Sequence, residues 1–114
     1  MDWNIKTNKT LQETVYHVDL NPGPELFVLP KKGYNKKYAI FSTRFGSIDN
    51  SFWVEGKNSE QIAVPDGVAH FLEHKLFDDE DGNAFDRFAQ YGASSNAFTG
   101  FTNTTYLFSC TDFF

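Results

Sequence analysis

Hydrophobic and polar positions along this chain alternate in short bursts separated by turn residues, and the period of each burst names the element it predicts. Up to about Thr10 the chain is polar and aperiodic and predicts no element. Tyr16, Val18 and Leu20 then alternate with His17 and Asp19, the period-two pattern of a half-buried strand. Asn21-Pro22-Gly23-Pro24 breaks that run, and Glu25 to Pro30 predicts a second strand, making a hairpin closed by Lys31-Lys32-Gly33. Tyr38 to Gly46 is rich in β-forming apolar residues and predicts a third strand, central in its sheet. From Ser47 to Pro65 the pattern predicts a long loop with short strand pieces at Phe52-Trp53-Val54 and Ile62-Ala63-Val64.

At Pro65-Asp66-Gly67 the period changes. Asp66 is placed to accept backbone N–H groups as an N-cap, and helical spacing runs from Gly67 to Phe77. Val68, Ala69, Leu72 and Leu76 form an apolar side expected to pack on the sheet. The acidic run from Asp78 to Asp81 ill suits the negative end of this helix but favours the start of a second one, Ala84 to Tyr91, with Gly92 at its C′ position. Ser94 to Thr99 and Thr104 to Thr111 then predict a hairpin through Gly100-Phe101-Thr102-Asn103. The order of strands, two helices and strands predicts an α+β fold, an antiparallel sheet packed against helices, with residues 1–114 forming a single partial domain. The chain stops at Phe114 directly after a strand and reads as cut short.

Composition narrows the function classes. Apolar residues make up 40% of 114 positions and aromatics 18%, with thirteen Phe, enough for a packed interior. Net charge is -5 and no basic run exceeds a lysine pair, so nucleic acid is excluded as a partner. The start lacks an apolar leader and no stretch approaches membrane-spanning length, which predicts a cytoplasmic protein without a membrane partner. Cys110 is the only cysteine, so no internal disulfide forms, and its strand setting predicts a buried small hydrophobe.

The chemistry sits in the first helix. His70 and His74 are one turn apart and differ by about 40° around the axis, with Glu73 about 60° from His70 on the same arc. Two imidazoles at that separation suit a single zinc ion, and a carboxylate beside them can take a proton from water without being a ligand. The pattern His-x-x-Glu-His arises by accident in roughly a few chains per thousand of this length. The third histidine, His17, lies on a half-buried strand and is expected to be structural or at the surface.

The segment from Pro65 to Phe77 resembles the first helix of the insulinase/pitrilysin metallopeptidases, in which His-x-x-Glu-His inverts the thermolysin-like order. Gly92 to Thr99 and Thr105-Tyr106 look like that family's next strand pair, and Phe45-Gly46-Ser47 like the strand leading out to the helix. The likeness spans about Glu25 to Asp112 and is nearest to the Gram-positive bacterial branch. It implies part of one metallopeptidase (LuxS/MPP-like) half-domain, Zn²⁺ held by His70 and His74, and Glu73 activating the attacking water. It implies a peptide substrate that adds to an edge strand at Asn96, Ala97, Phe98 and Thr99, and it allows a homo- or hetero-oligomer with a related subunit. The family's third zinc ligand, a Glu well beyond the motif, falls past the last residue of this chain. The expected activity is therefore zinc endopeptidase in the parent protein, with this length alone inactive; the alternative is a non-catalytic peptide-binding partner subunit of a two-component peptidase.

Overall fold

A computed structural model describes residues 2–54, 56, 60–79 and 82–111, which fall into two compact units, Met1–Tyr34 and Asn35–Phe114. Glu80 and Asp81 of the acidic run, and residues 112–114 where the sequence stops, lie outside the described residues. Antiparallel sheets and two helices make this an α+β protein, as the order of periodicities predicts.

The first unit is a three-stranded sheet of β1 (Asn4–Asn8), β2 (Glu13–Asp19) and β3 (Glu25–Val28), in that spatial order. The hairpin of β2 and β3 matches expectation, whereas β1 does not, because its polar sequence carries no apolar alternation. A local turn creates it. Asn8 Oδ1 accepts the N–H groups of Thr10 and Leu11 at 3.0 Å each, folding the chain so that Asn8 faces Glu13 and Ile5 faces Tyr16. Ile5, Tyr16 and Val28 form a cross-strand row that lines an apolar concavity with Trp3 and Pro30. On the other side of β2, His17 stacks on Phe27 at 4.3 Å and meets Glu25 Oε2 at 3.1 Å through Nε2.

The second unit contains β4 (Lys37–Thr43), β5 (Ser51–Phe52), β6 (Ile62–Ala63), α1 (Val68–Phe77), β7 (Asp78–Asp79), β8 (Gly82–Asn83), α2 (Ala84–Gln90), β9 (Ser94–Thr99) and β10 (Thr104–Cys110). Its main sheet has the antiparallel order β4-β10-β9, so the central strand is β10 and not, as apolarity suggests, β4. Centrality follows from pairing on both edges. The tight hairpin fixes β9 to one edge of β10, β4 fills the other, and the small side chains of Thr104, Thr105, Ser109 and Cys110 are buried there. Tyr38, Ile40 and Phe41 of β4 remain more than half exposed. Cys110 is a free, buried thiol, as its strand setting predicts.

Strand alternation puts Thr104, Tyr106 and Phe108 on one face of β10, level with Thr99, Ala97 and Ser95 of β9. Both helices pack on that face: Phe77 of α1 lies 5.7 Å from Tyr106 and Phe88 of α2 lies 5.7 Å from Phe108, while Phe77 and Phe85 stack at 4.2 Å between the helices.

The helix ends depart from expectation at one point. The N-cap of α1 is Gly67, in the left-handed region at φ 87°, and no side chain caps it. Asp66 instead accepts from Asn50 Nδ2 at 3.2 Å, tying the helix start to the preceding loop. At the other end Lys75 approaches Asp78 at 3.8 Å, which offsets the acidic residue's poor place beside the helix C-terminus. In α2 the cap is Asn83, whose Oδ1 accepts from Phe85 N–H at 2.8 Å. Gly92 sits at C′ with φ 68°, its N–H bonded to Ala89 O and that of Ala93 to Phe88 O, a Schellman ending. Among the described residues no helix is long and apolar enough to cross a membrane.

Behind β9 and β10 the chain makes a close backbone crossing. Ser47 N–H donates to Gly100 O at 3.0 Å, Ile48 N–H to Phe101 O at 3.1 Å, and Thr104 Oγ1 to Phe45 O at 2.7 Å. A Cβ on Gly46 would come within 2.4 Å of Phe101 O, so only glycine permits this approach. Gly46→Ala in the intact protein is therefore expected to lose about 1–3 kcal/mol of stability through forced backbone movement, read from the denaturation midpoint.

Candidate metal centre

Helix α1 carries the three residues that its spacing singles out, and the fold brings them together. One potential ligand atom from each of His70, Glu73 and His74 lies within 4.8 Å of the others. The two imidazoles are exposed, with ring centroids 4.8 Å apart and their Nε2 atoms 3.0 Å apart. Two imidazole nitrogens meet this closely when they share a proton or a cation between them. Tetrahedral ligation would place two such nitrogens about 3.3 Å apart, so a slight opening of the pair, with both rings protonated at Nδ1, fits one zinc-sized cation.

Glu73 is the opposite case, only 8% exposed. Its Oε2 accepts the hydroxyl of Thr99 at 2.5 Å. The buried side of α1 is consequently Ala69 and Glu73, and the expected packing of Leu72 and Leu76 on the sheet is not what the structure shows: they are 42% and 69% exposed. Ala69 and Glu73 are spaced i, i+4, and a small residue followed by a hydrogen-bonded acid lets the helix lie close to β9.

Tyr106 also belongs to this environment, although no motif marks it. Burial, and secondarily the negative charge of Glu73, raise its phenol above the ordinary tyrosine value, so it remains neutral beside the acid. The signal was present in the alternation of β10, which puts Tyr106 on the same face as Thr104.

The four residues of β9 divide by face. Asn96 and Phe98 are exposed, while Ala97 and Thr99 are half-buried toward the helices. Among the described residues β9 pairs only with β10, leaving its other edge open. Gly100 N–H donates to Asn103 O at 2.8 Å, so Gly100 and Asn103 form a hydrogen-bonded pair. Alternation from it directs the main-chain groups of Thr99, Ala97 and Ser95 outward to the open edge. Asn96 Oδ1 accepts one of these, Ala97 N–H, at 2.9 Å.

Comparison with known proteins gives consistent matches. Residues 58–112 match the family model described as Insulinase (Peptidase family M16). The chain is 60% identical over 101 residues to a protein of Bacillus subtilis (strain 168) that bears the name uncharacterized zinc protease YmfH, covering 89% of this chain and 23% of YmfH. It is 42% identical over 65 residues to AlbF of the same strain, also named as a zinc protease, covering 57% of this chain and 15% of AlbF. A crystal structure of an M16-like peptidase from Alicyclobacillus acidocaldarius superposes with a TM-score of 0.73 at 36% identity, covering 98% of this chain and 23% of that one. The chain thus spans about a quarter of the length of the first of these relatives.

The charge of Glu73 at Tyr106 gives a direct test of this geometry. Glu73→Gln is expected to bring the Tyr106 phenol down toward, but not to, the ordinary value of 10.0, because burial persists. Ultraviolet titration against Tyr106→Phe reads the shift. Folding favours the neutral phenol, so its contribution to stability is complete below the ordinary tyrosine range and is lost as pH rises through the raised value.

Proposed function

This chain belongs to the insulinase family of peptidases, and from that footing we propose that it forms the zinc-bearing part of an endopeptidase acting on small or unfolded polypeptides. The observation that carries the reading is one helical turn with two exposed imidazoles converging at Nε2 beside a buried acid. His70 and His74 hold the metal, and a further ligand comes from outside these 114 residues, since a catalytic zinc takes three protein ligands. Bound zinc supplies Lewis-acid polarisation of the scissile carbonyl and acidifies water. Glu73 takes the proton of the attacking water and returns it to the leaving amine, the two halves of general acid–base catalysis. With Oε2 engaged by Thr99, its Oε1 is left to meet water.

The substrate lies along β9 as an added strand, hydrogen-bonding the outward main-chain groups of Ala97 and its neighbours. Asn96 and Phe98 offer side chains on the exposed face, and the side-chain amide of Asn96 gives way where the peptide takes Ala97 N–H. Cleavage then needs an extended, unfolded segment, because a folded substrate keeps its own main-chain groups paired. The competing reading, a partner subunit that holds peptide without cutting it, is disfavoured by the intact histidine-glutamate set.

Glu73→Gln in the intact protein is expected to lower kcat by about 10²–10⁴-fold with zinc still bound. His70→Ala or His74→Ala should remove the zinc itself, measured by metal analysis after dialysis. Undiminished peptide cleavage by the Glu73 variant would defeat the assignment of the base, and stoichiometric zinc without any hydrolysis by the wild type would favour the partner-subunit reading.

A further inference from the structure

We propose that Thr99 is a positioning residue, whose side-chain hydroxyl fixes the carboxylate of Glu73 in the orientation from which it acts; this rests on the assignment of Glu73 as the base. A nearly buried carboxylate must find a donor or suffer the cost of lost hydration. Among the described residues the hydrogen-bond donor to Glu73 is Thr99 Oγ1, at 2.5 Å to Oε2. A hydroxyl has one proton to give, so it engages one carboxylate oxygen and leaves Oε1 to accept the proton of water.

The rest of the neighbourhood holds Thr99 still. Its cross-strand partner Thr104 is buried at 2% exposure and spends its own hydroxyl on Phe45 O, so it does not compete for the acid. The pair is of the non-hydrogen-bonded kind, in which side chains stand closest. Immediately beyond it, Gly100 is tied to Asn103 O through its N–H and to Ser47 N–H through its O. Threonine is also branched at Cβ and stiff at χ1, so a fixed backbone fixes the hydroxyl. Tyr106 is near enough for its phenol to feel Glu73, but no hydrogen bond joins them among the described residues. Thr99 therefore faces two ways: its main chain lies on the open edge proposed for peptide, and its side chain holds the acid.

The test compares Thr99→Val, which keeps the shape and removes the hydroxyl, with Thr99→Ser, which keeps the hydroxyl. In the intact zinc-loaded protein, Thr99→Val is expected to lower kcat about 10–100-fold, with KM and zinc content unchanged, and Thr99→Ser to recover most of the loss. Wild-type kcat in Thr99→Val would overturn the proposal, and so would a loss confined to KM or to zinc, or one that serine does not rescue. Crystal structures of the metal-free proteins supply a readout independent of turnover. The Glu73 carboxylate is expected on Thr99 Oγ1 in the wild type and displaced in Thr99→Val; an unmoved carboxylate in the variant would overturn the proposal. That result stands apart from the peptidase reading, which fails instead if the wild type neither binds zinc nor cleaves peptide.

Discussion

The hydrogen bond from Thr99 to Glu73 ties α1 to β9 at the one acidic residue of that helix, and that residue is buried. A helix of ten residues with apolar positions on more than one side has no unique way to lie on a sheet. Turning Glu73 inward to meet a hydroxyl selects the face built from Ala69 and Glu73. His70 and His74 are then carried to the exposed flank with both Nε2 atoms aimed at one point.

That selection works only because Thr99 is held in place by a second layer of backbone contacts. The loop from Phe45 to Ile48 runs against the turn Gly100–Asn103 so closely that a glycine is required at Gly46, and its amides cap the turn's carbonyls. The close crossing, the hairpin and the acid form one chain of support from loop to site. The aromatic contacts of Phe77 with Tyr106 and of Phe88 with Phe108 fasten the two helices to the same sheet face, but they act beside the acid rather than through it.

What could be read from the sequence follows from which rules are local. The histidine pair and its glutamate were legible because helical spacing fixes their relative directions whatever the helix packs on. The hairpins at Gly23 and at Gly100–Asn103, and the left-handed Gly92, were legible because turn chemistry is written in a few adjacent residues. β1 was hidden because a turn at Asn8, and no apolar pattern, makes it a strand. The place of β10 at the centre was hidden because apolarity pointed to β4, while pairing on both edges depends on long-range register. Asp66 was misjudged as a cap because Asn50, sixteen positions earlier, claims its carboxylate. On α1 the burial of Ala69 was legible, but the exposure of Leu72 and Leu76 and the burial of Glu73 were not: a count of leucines cannot register a hydroxyl arriving from a strand twenty-six residues later.

The nature of that partner bears on what Glu73 can do. A buried carboxylate is more often satisfied by a cation. A hydroxyl supplies direction with no compensating charge. An acid held this way loses its freedom to turn, which is what the role proposed for Glu73 asks of it. The period of two in β9 makes the arrangement compatible with substrate on the same strand, because main-chain groups at the open edge and side chains on the helix face occupy perpendicular directions.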